Sequence, residues 1–279
     1  MEHISDHIKE HYGRGKILDS ILNALSKSGK DLSRLKPTDL APVDEFHIRG
    51  RQATVELANL ADLAQGCRVL DVGCGLGGSA RYLAGECQCR VTGIDLTQEY
   101  VDIANTLSGL VGLGKRADFV QGDALNLPFE DGFFDVVWTE HAQMNIAAKH
   151  QFYGEIARVL RPGGQFLFHD ICGGKNGVFH YPVPWAEDES INFLISPDEL
   201  KEILMESDFK IGDWMDKSRE SLDWFVETHR KLQKSGAAPL GFHLLMGDKA
   251  AEKFENQIKN LRENKFVVLK ASAKKKNNY

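Results

Sequence analysis

The run Val69-Leu70-Asp71-Val72-Gly73-Cys74-Gly75-Leu76-Gly77-Gly78-Ser79 leads an apolar segment into a glycine-rich bend that opens a helix. Glycine lacks Cβ and tolerates positive φ, so such a bend brings backbone close to a ligand. The helix start adds free N–H groups and a partial positive charge. Gly73, Gly75 and Gly78 also satisfy G-x-G-x-x-G, with Asp95 at about the spacing of a ribose-binding acid; a nicotinamide cofactor, and with it an NAD(P)-dependent oxidoreductase, therefore stays open. Asp71, two positions before the first glycine, weighs against it. A carboxylate beside a diphosphate is a like-charge contact, whereas a cationic amino or sulfonium group is favoured there.

The sequence resembles class I S-adenosylmethionine (SAM)-dependent methyltransferases, in the small-molecule branch often called type 11. The resemblance covers roughly residues 66–171 and rests on Asp71-x-Gly73-x-Gly75-x-Gly77, Gly93-Ile94-Asp95, Gly122-Asp123-Ala124 with Leu127-Pro128-Phe129, and Arg158-Val159-Leu160-Arg161-Pro162-Gly163-Gly164. It implies SAM as cofactor. Gly73, Gly75, Gly77 and their backbone would hold the methionine end, with Asp71 near its amino group. Asp95 would accept the ribose hydroxyls, Leu96 would pack on the adenine, and Asp123 with Ala124 would meet the adenine edge. Alone, Asp95 and Asp123 read as solvated loop aspartates; their place at strand ends on the ligand edge of the sheet favours binding. Outside this core the plan is similar to sarcosine/dimethylglycine and phosphoethanolamine methyltransferases. A non-catalytic SAM-binding protein is the remaining alternative.

Methyl transfer needs an acceptor lone pair about 3 Å from the methyl, and positioning supplies much of the rate. A nitrogen or oxygen acceptor on a small molecule must also lose a proton. After the fourth apolar run, Trp138-Thr139-Glu140-His141 offers His141 as base, since its ordinary pKa lies nearest neutrality, and Glu140 as second choice. A His141 that merely bonds a loop carbonyl fits equally well. In Phe46-His47-Ile48-Arg49-Gly50-Arg51, His47 and Arg49 would hold an acceptor carboxylate or simply make ion pairs. Trp138 and Trp185 would suit a methylated ammonium by cation–π contact, or a flat ring. His180 lies in a Pro-containing loop expected to border the acceptor. His3, His7 and His11 recur at i, i+4 and i+8, but no Cys or carboxylate completes a metal site nearby, so no metal is expected.

These residues need a scaffold. Ile17, Leu18, Ile21, Leu22 and Leu25 form an amphipathic stripe ended by Ser28-Gly29, and a second helix is expected around Val55–Leu63. From Cys67 strand and helix alternate: 68–72 then 78–86, 90–94 then 98–110, 118–121, 134–138 then 150–160, and 165–171 then 197–207. This rhythm predicts an α/β fold, a Rossmann-like doubly wound sheet with mostly parallel strands and right-handed crossovers. Strands at 209–215 and 265–273, the last antiparallel, enclose helices at 222–232 and 249–261 joined through 236–247. Residues 1–65 are thus expected to form a helical N-terminal cap region. Residues 66–279 would be the cofactor-binding domain, with a helical insertion at about 218–262.

Of 279 residues, 42% are hydrophobic and 27% charged, which argues against disorder. The net charge of −6 argues against a nucleic-acid partner, and Lys274-Lys275-Lys276 read as a solvated end. No apolar run reaches a membrane span, and the start lacks the pattern of a secretory leader. Cys67, Cys74, Cys87, Cys89 and Cys172 form no CxxC pair, so a reducing cytoplasm and a monomer or homodimer are expected.

Overall fold

A computed structural model of the chain describes residues 16–175 and 177–277; the His3, His7 and His11 stripe lies outside them. Strands β1 (Arg68–Val72), β2 (Arg90–Asp95), β3 (Ala117–Gln121), β4 (Phe134–Glu140), β5 (Leu160–Gly173), β6 (Phe209–Asp216) and β7 (Phe266–Lys275) form one sheet in the order β3-β2-β1-β4-β5-β7-β6. The pairs from β3 through β5 are parallel, and β7 runs antiparallel to both its neighbours. The expected Rossmann-like doubly wound sheet, mostly parallel with an antiparallel last strand, is the architecture formed. Both faces of the central strands are covered, which is why they read as near-continuous apolar runs. Leu70, Val72 and Val137 enter one core cluster, while Val69, Val136 and Trp138 enter the other. Strand order reverses between β1 and β4, and at such a switch point a crevice opens beyond the strand carboxyl ends.

The covering helices are α1 (Ile17–Lys27), α2 (Pro37–Asp44), α3 (Arg51–Ala58), α4 (Gly78–Gly85), α5 (Gln98–Leu110), α6 (Lys149–Val159), α7 (Pro197–Glu206), α8 (Ser218–Ser235), α9 (His243–Met246) and α10 (Ala250–Arg262). Ile17, Ile21 and Leu25 of α1 pack with Leu40 and Val43 of α2, Ile103 and Leu107 of α5, and Leu245 of α9. Phe225 of α8 and Phe254, Ile258 and Leu261 of α10 pack with Trp185 and with Phe266 and Val268 of β7. Each such large side chain contributes about 1.5–3 kcal/mol on burial. Together these elements cap the crevice.

The differences from sequence expectation are local. β4 runs on to Glu140, which lies opposite His169 of β5. Helix α2, opened by Pro37 at its first turn, falls within the expected helical N-terminal region, whereas α9 lies within the 236–247 connection, where no helix was expected. Pro162-Gly163-Gly164 falls inside β5, where the pairing with β4 is irregular and Gly163 has φ 71°. Of the basic end, Lys274 and Lys275 belong to β7, and Lys275 Nζ donates to the Leu160 carbonyl at 2.8 Å.

Candidate active site

A cavity of about 370 Å³ lies between the carboxyl ends of β1, β2 and β4 and the cap. Two glycines of the bend do different work. Gly75 has φ 51°, and a Cβ built on it would meet nothing within 4 Å; its open side is cavity. Gly77 has φ 81°, and its Cβ would lie 2.5 Å from Phe119 Cζ, so its missing side chain serves packing. Gly77 does not line the cavity, whereas Gly73 and Gly75 do.

Asp71 is buried, and its Oδ2 has no partner. Burial, reinforced by the nearby Glu140 and Glu45 carboxylates, holds its pKa well above the usual carboxylate range. Asp95 ties the bend together: Oδ2 accepts from the Gly75 N–H and Oδ1 from the Thr97 N–H, each at 2.9 Å. Each oxygen keeps lone-pair capacity for a further donor. Asp123 accepts from the Leu125 N–H at 2.8 Å, and it faces the cavity with Leu96 and Ala124. Asp71, Gly73, Gly75, Asp95, Leu96, Asp123 and Ala124 are thus brought together.

Glu140 reaches the same cavity through a dense network. Its Oε2 accepts from Ser79 Oγ at 2.5 Å, Trp138 Nε1 at 2.9 Å and Thr54 Oγ1 at 3.3 Å, while Oε1 is unpartnered. His47 Nε2 lies 3.6 Å from Glu140 Oε2 and 3.1 Å from Glu45 Oε2. Burial disfavours the imidazolium, but the Glu140 and Glu45 carboxylates outweigh it and push His47 up to about 9. The ligating atoms of Glu45, His47 and Glu140 lie within 4.8 Å of one another, a spacing open to a metal ion. The positive charge among them comes from His47 and from Arg51, whose Nε is 2.6 Å from Glu45 Oε1.

His141 has φ 53° and stacks on His169 with ring centroids 5.2 Å apart. Burial first, then the neighbouring His169 and His47, lower its pKa well below the ordinary value, so it is a neutral imidazole at neutral pH. Its Nε2 is buried without a partner. Asp170 fixes the following turn, Oδ2 accepting from the Ala142 and Gln143 N–H groups at 3.2 and 3.1 Å, and Lys149 Nζ donates to the Gln143 carbonyl.

Three residues expected at the acceptor lie off the cavity. The Arg49 guanidinium is engaged bidentately by Glu56. Trp138 is fully buried in the core beneath the site, where it holds Glu140. His180 bonds Glu263 and Lys265 at the surface. His47 and Trp185 do line it. Sequence reasoning missed Glu45, Thr54, Ser79, His169 and the cap rings of Phe225, Phe242 and Phe254. Glu45 was the most accessible, two residues before His47; the others belong to distant segments that only the fold assembles.

Residues 70–168 match the methyltransferase domain family. Tocopherol O-methyltransferase of Arabidopsis thaliana is 41% identical over 166 residues, covering 53% of this chain and 46% of that protein. Fatty-acid O-methyltransferase of Mycolicibacterium smegmatis is 34% identical over 180 residues, covering 60% and 59%. The chain thus aligns with well under two thirds of either relative. Phosphoethanolamine N-methyltransferase 2 of Haemonchus contortus, solved with SAM, shares the fold with TM-score 0.76 at 18% identity, over 97% of this chain and 60% of that one.

Proposed function

We propose that the protein transfers the methyl group of SAM to a nitrogen or oxygen of a small molecule held between the sheet edge and the cap. The observation that carries this reading is one cavity in which open space beside Gly75 adjoins the unpartnered, buried oxygen of Asp71. The residues fit the cofactor: a cationic amine answers Asp71, hydroxyls answer the free lone pairs of Asp95, and a flat base fits between Leu96 and Ala124 with Asp123 at its edge. Bound there, SAM supplies a methyl group made electrophilic by positive sulfur.

The chain's own residues supply position and proton handling. The cap excludes water and aligns the acceptor, an effect able to supply several kcal/mol of a methyl-transfer barrier. His141 is neutral, with Nε2 free to take the proton that the acceptor releases. Glu140 is pinned through Oε2 and retains Oε1 as a second acceptor. Relatives named for oxygen acceptors and a structural neighbour named for a nitrogen acceptor support either attacking atom. A reducing compartment such as the cytoplasm suits the free thiols of Cys67, Cys74, Cys87, Cys89 and Cys172, and no helix among the described residues is long and apolar enough to cross a membrane.

Calorimetric titration tests the reading. S-adenosylhomocysteine should bind at micromolar concentration and NAD(H) should not; the reverse pattern makes the protein an oxidoreductase. Methyl-labelled SAM with pooled amines, phenols and alcohols should then yield labelled product, and cofactor binding with no transfer to any pool would point to a non-catalytic binder.

A further inference from the structure

We propose that the methyl acceptor is an uncharged, mainly apolar phenol or alcohol, selected by the aromatic underside of the cap. This rests on the methyl-transfer reading above. The rings of Phe46, Trp185, Trp224, Phe225, Phe242 and Phe254 line the cavity, and none of its described lining residues is lysine or arginine. Two polar groups of this wall are already engaged. Trp185 Nε1 donates to Asn192 Oδ1 at 2.9 Å, and Asn145 Nδ2 donates to the Trp185 and Ile191 carbonyls, each at 2.9 Å.

The nearby arginines and His47 are already met by acids. Arg49 is held by Glu56, Arg81 by Asp44, Arg51 by Glu45, and the His47 imidazolium by Glu45 and Glu140. A phosphate or carboxylate on the acceptor would lose its water and find no counter-charge, an unfavourable transfer. Of the acids lining the cavity, Asp44 is paired with Arg81, and Asp71, Asp95, Asp123 and Glu140 stand on the sheet side with the cofactor-binding bend. The cap segments beyond residue 180 contribute Gln257 as their polar lining side chain, a neutral amide suited to one hydroxyl. An ammonium gains contact with the rings but finds on the cap side only Asp44, already paired with Arg81, and must lose its proton before it can attack. In the transfer to a phenol or alcohol, the C–O bond forms as the methyl–sulfur bond breaks. The hydroxyl proton passes to His141, and a neutral thioether leaves.

The test uses the whole protein saturated with S-adenosylhomocysteine and a series on one 4-butylphenyl scaffold: 4-butylphenol, 4-butylbenzylamine, 4-butylbenzoate and 4-butylphenyl phosphate. Binding is read from quenching of tryptophan fluorescence, since Trp185 and Trp224 face the cavity. The phenol should bind about tenfold or more tightly than each charged congener. A charged congener binding as tightly, or a phenol that does not bind, overturns the proposal. Calorimetry with S-adenosylhomocysteine comes first. Absent binding there removes the methyl-transfer reading itself, whereas normal binding with the wrong ranking removes only the acceptor class. Phe242→Lys should weaken 4-butylphenol about tenfold and improve 4-butylbenzoate and 4-butylphenyl phosphate. Phe242→Leu should keep the original order. An unchanged ranking in Phe242→Lys counts against the cap as the selecting wall.

Discussion

The carboxylate of Asp44 and the guanidinium of Arg81 lie 2.7 Å apart, with neither side chain exposed to solvent. Asp44 ends α2 in the cap, and Arg81 sits in α4, directly after the glycine bend. Arg81 also donates to the carbonyls of Leu76 and Ala104 and to Ser108 Oγ. One side chain therefore ties cap, bend and α5 together. Removing one partner strands the other charge out of water, so Asp44→Ala should cost about 3–5 kcal/mol of stability by urea denaturation. An Asp44→Leu, Arg81→Met double variant should recover part of that loss; equal losses in single and double variants would mean that the pair is not what couples the cap to the bend.

The two glycines of the bend should fail differently. Gly75→Val puts a branched side chain into cavity space at φ 51°, and S-adenosylhomocysteine affinity should fall about a hundredfold or more. Gly77→Ala instead meets Phe119 at φ 81°, so it should lower stability by about 1–3 kcal/mol. Calorimetry on the first and thermal denaturation on the second check this contrast.

Asp71 should make cofactor binding pH-dependent. Its carboxyl is held up by burial and by Glu140 and Glu45, so the free protein keeps it protonated above the usual range. An incoming amino cation favours the ionised form and expels the proton. S-adenosylhomocysteine affinity should therefore rise with pH until the raised pKa is passed, then level. Heats measured in buffers of different ionisation enthalpy should reveal the released proton, and Asp71→Asn should abolish it.

How much of this the sequence carries divides along the chain. Asp71, Gly75, Asp95 and Asp123 were legible as positions around the cavity because the strand-to-helix bend and the strand ends are set by local pattern. Arg49 and Trp138 were misplaced for a shared reason. Nothing near Arg49 in sequence announces Glu56 as its partner, and strand alternation turns Trp138 into the core. Of the acceptor wall, Trp185 was anticipated, whereas Phe225, Phe242 and Phe254 were unreadable because they lie in the excursion between β6 and β7, which only the return of β7 along β5 brings over the sheet edge.

His47 gives a second, opposite pH signature. Its folded pKa of about 9 stands above the ordinary value of about 6.5. The stability it contributes is complete below about 6.5 and is lost as pH rises through about 9. Urea denaturation of the wild type should weaken between these limits, and His47→Gln should flatten that dependence.

His141 should act on turnover rather than on binding. His141→Asn tolerates the left-handed backbone and removes the imidazole; kcat should fall about tenfold to a hundredfold. Because burial keeps His141 neutral, the wild-type kcat profile should show no histidine ionisation between pH 6 and 8. Undiminished turnover would assign His141 a purely structural part.

Strands β6 and β7 lie side by side, yet 49 residues, 217–265, separate them. That stretch is an excursion anchored at both ends by the same ladder, and lengthening a loop so anchored costs only slowly more with size. Its rings can therefore be exchanged, or its helices extended, while the bend at Gly75 stays untouched. The proposed acceptor wall can thus vary independently of the bend that would hold the donor.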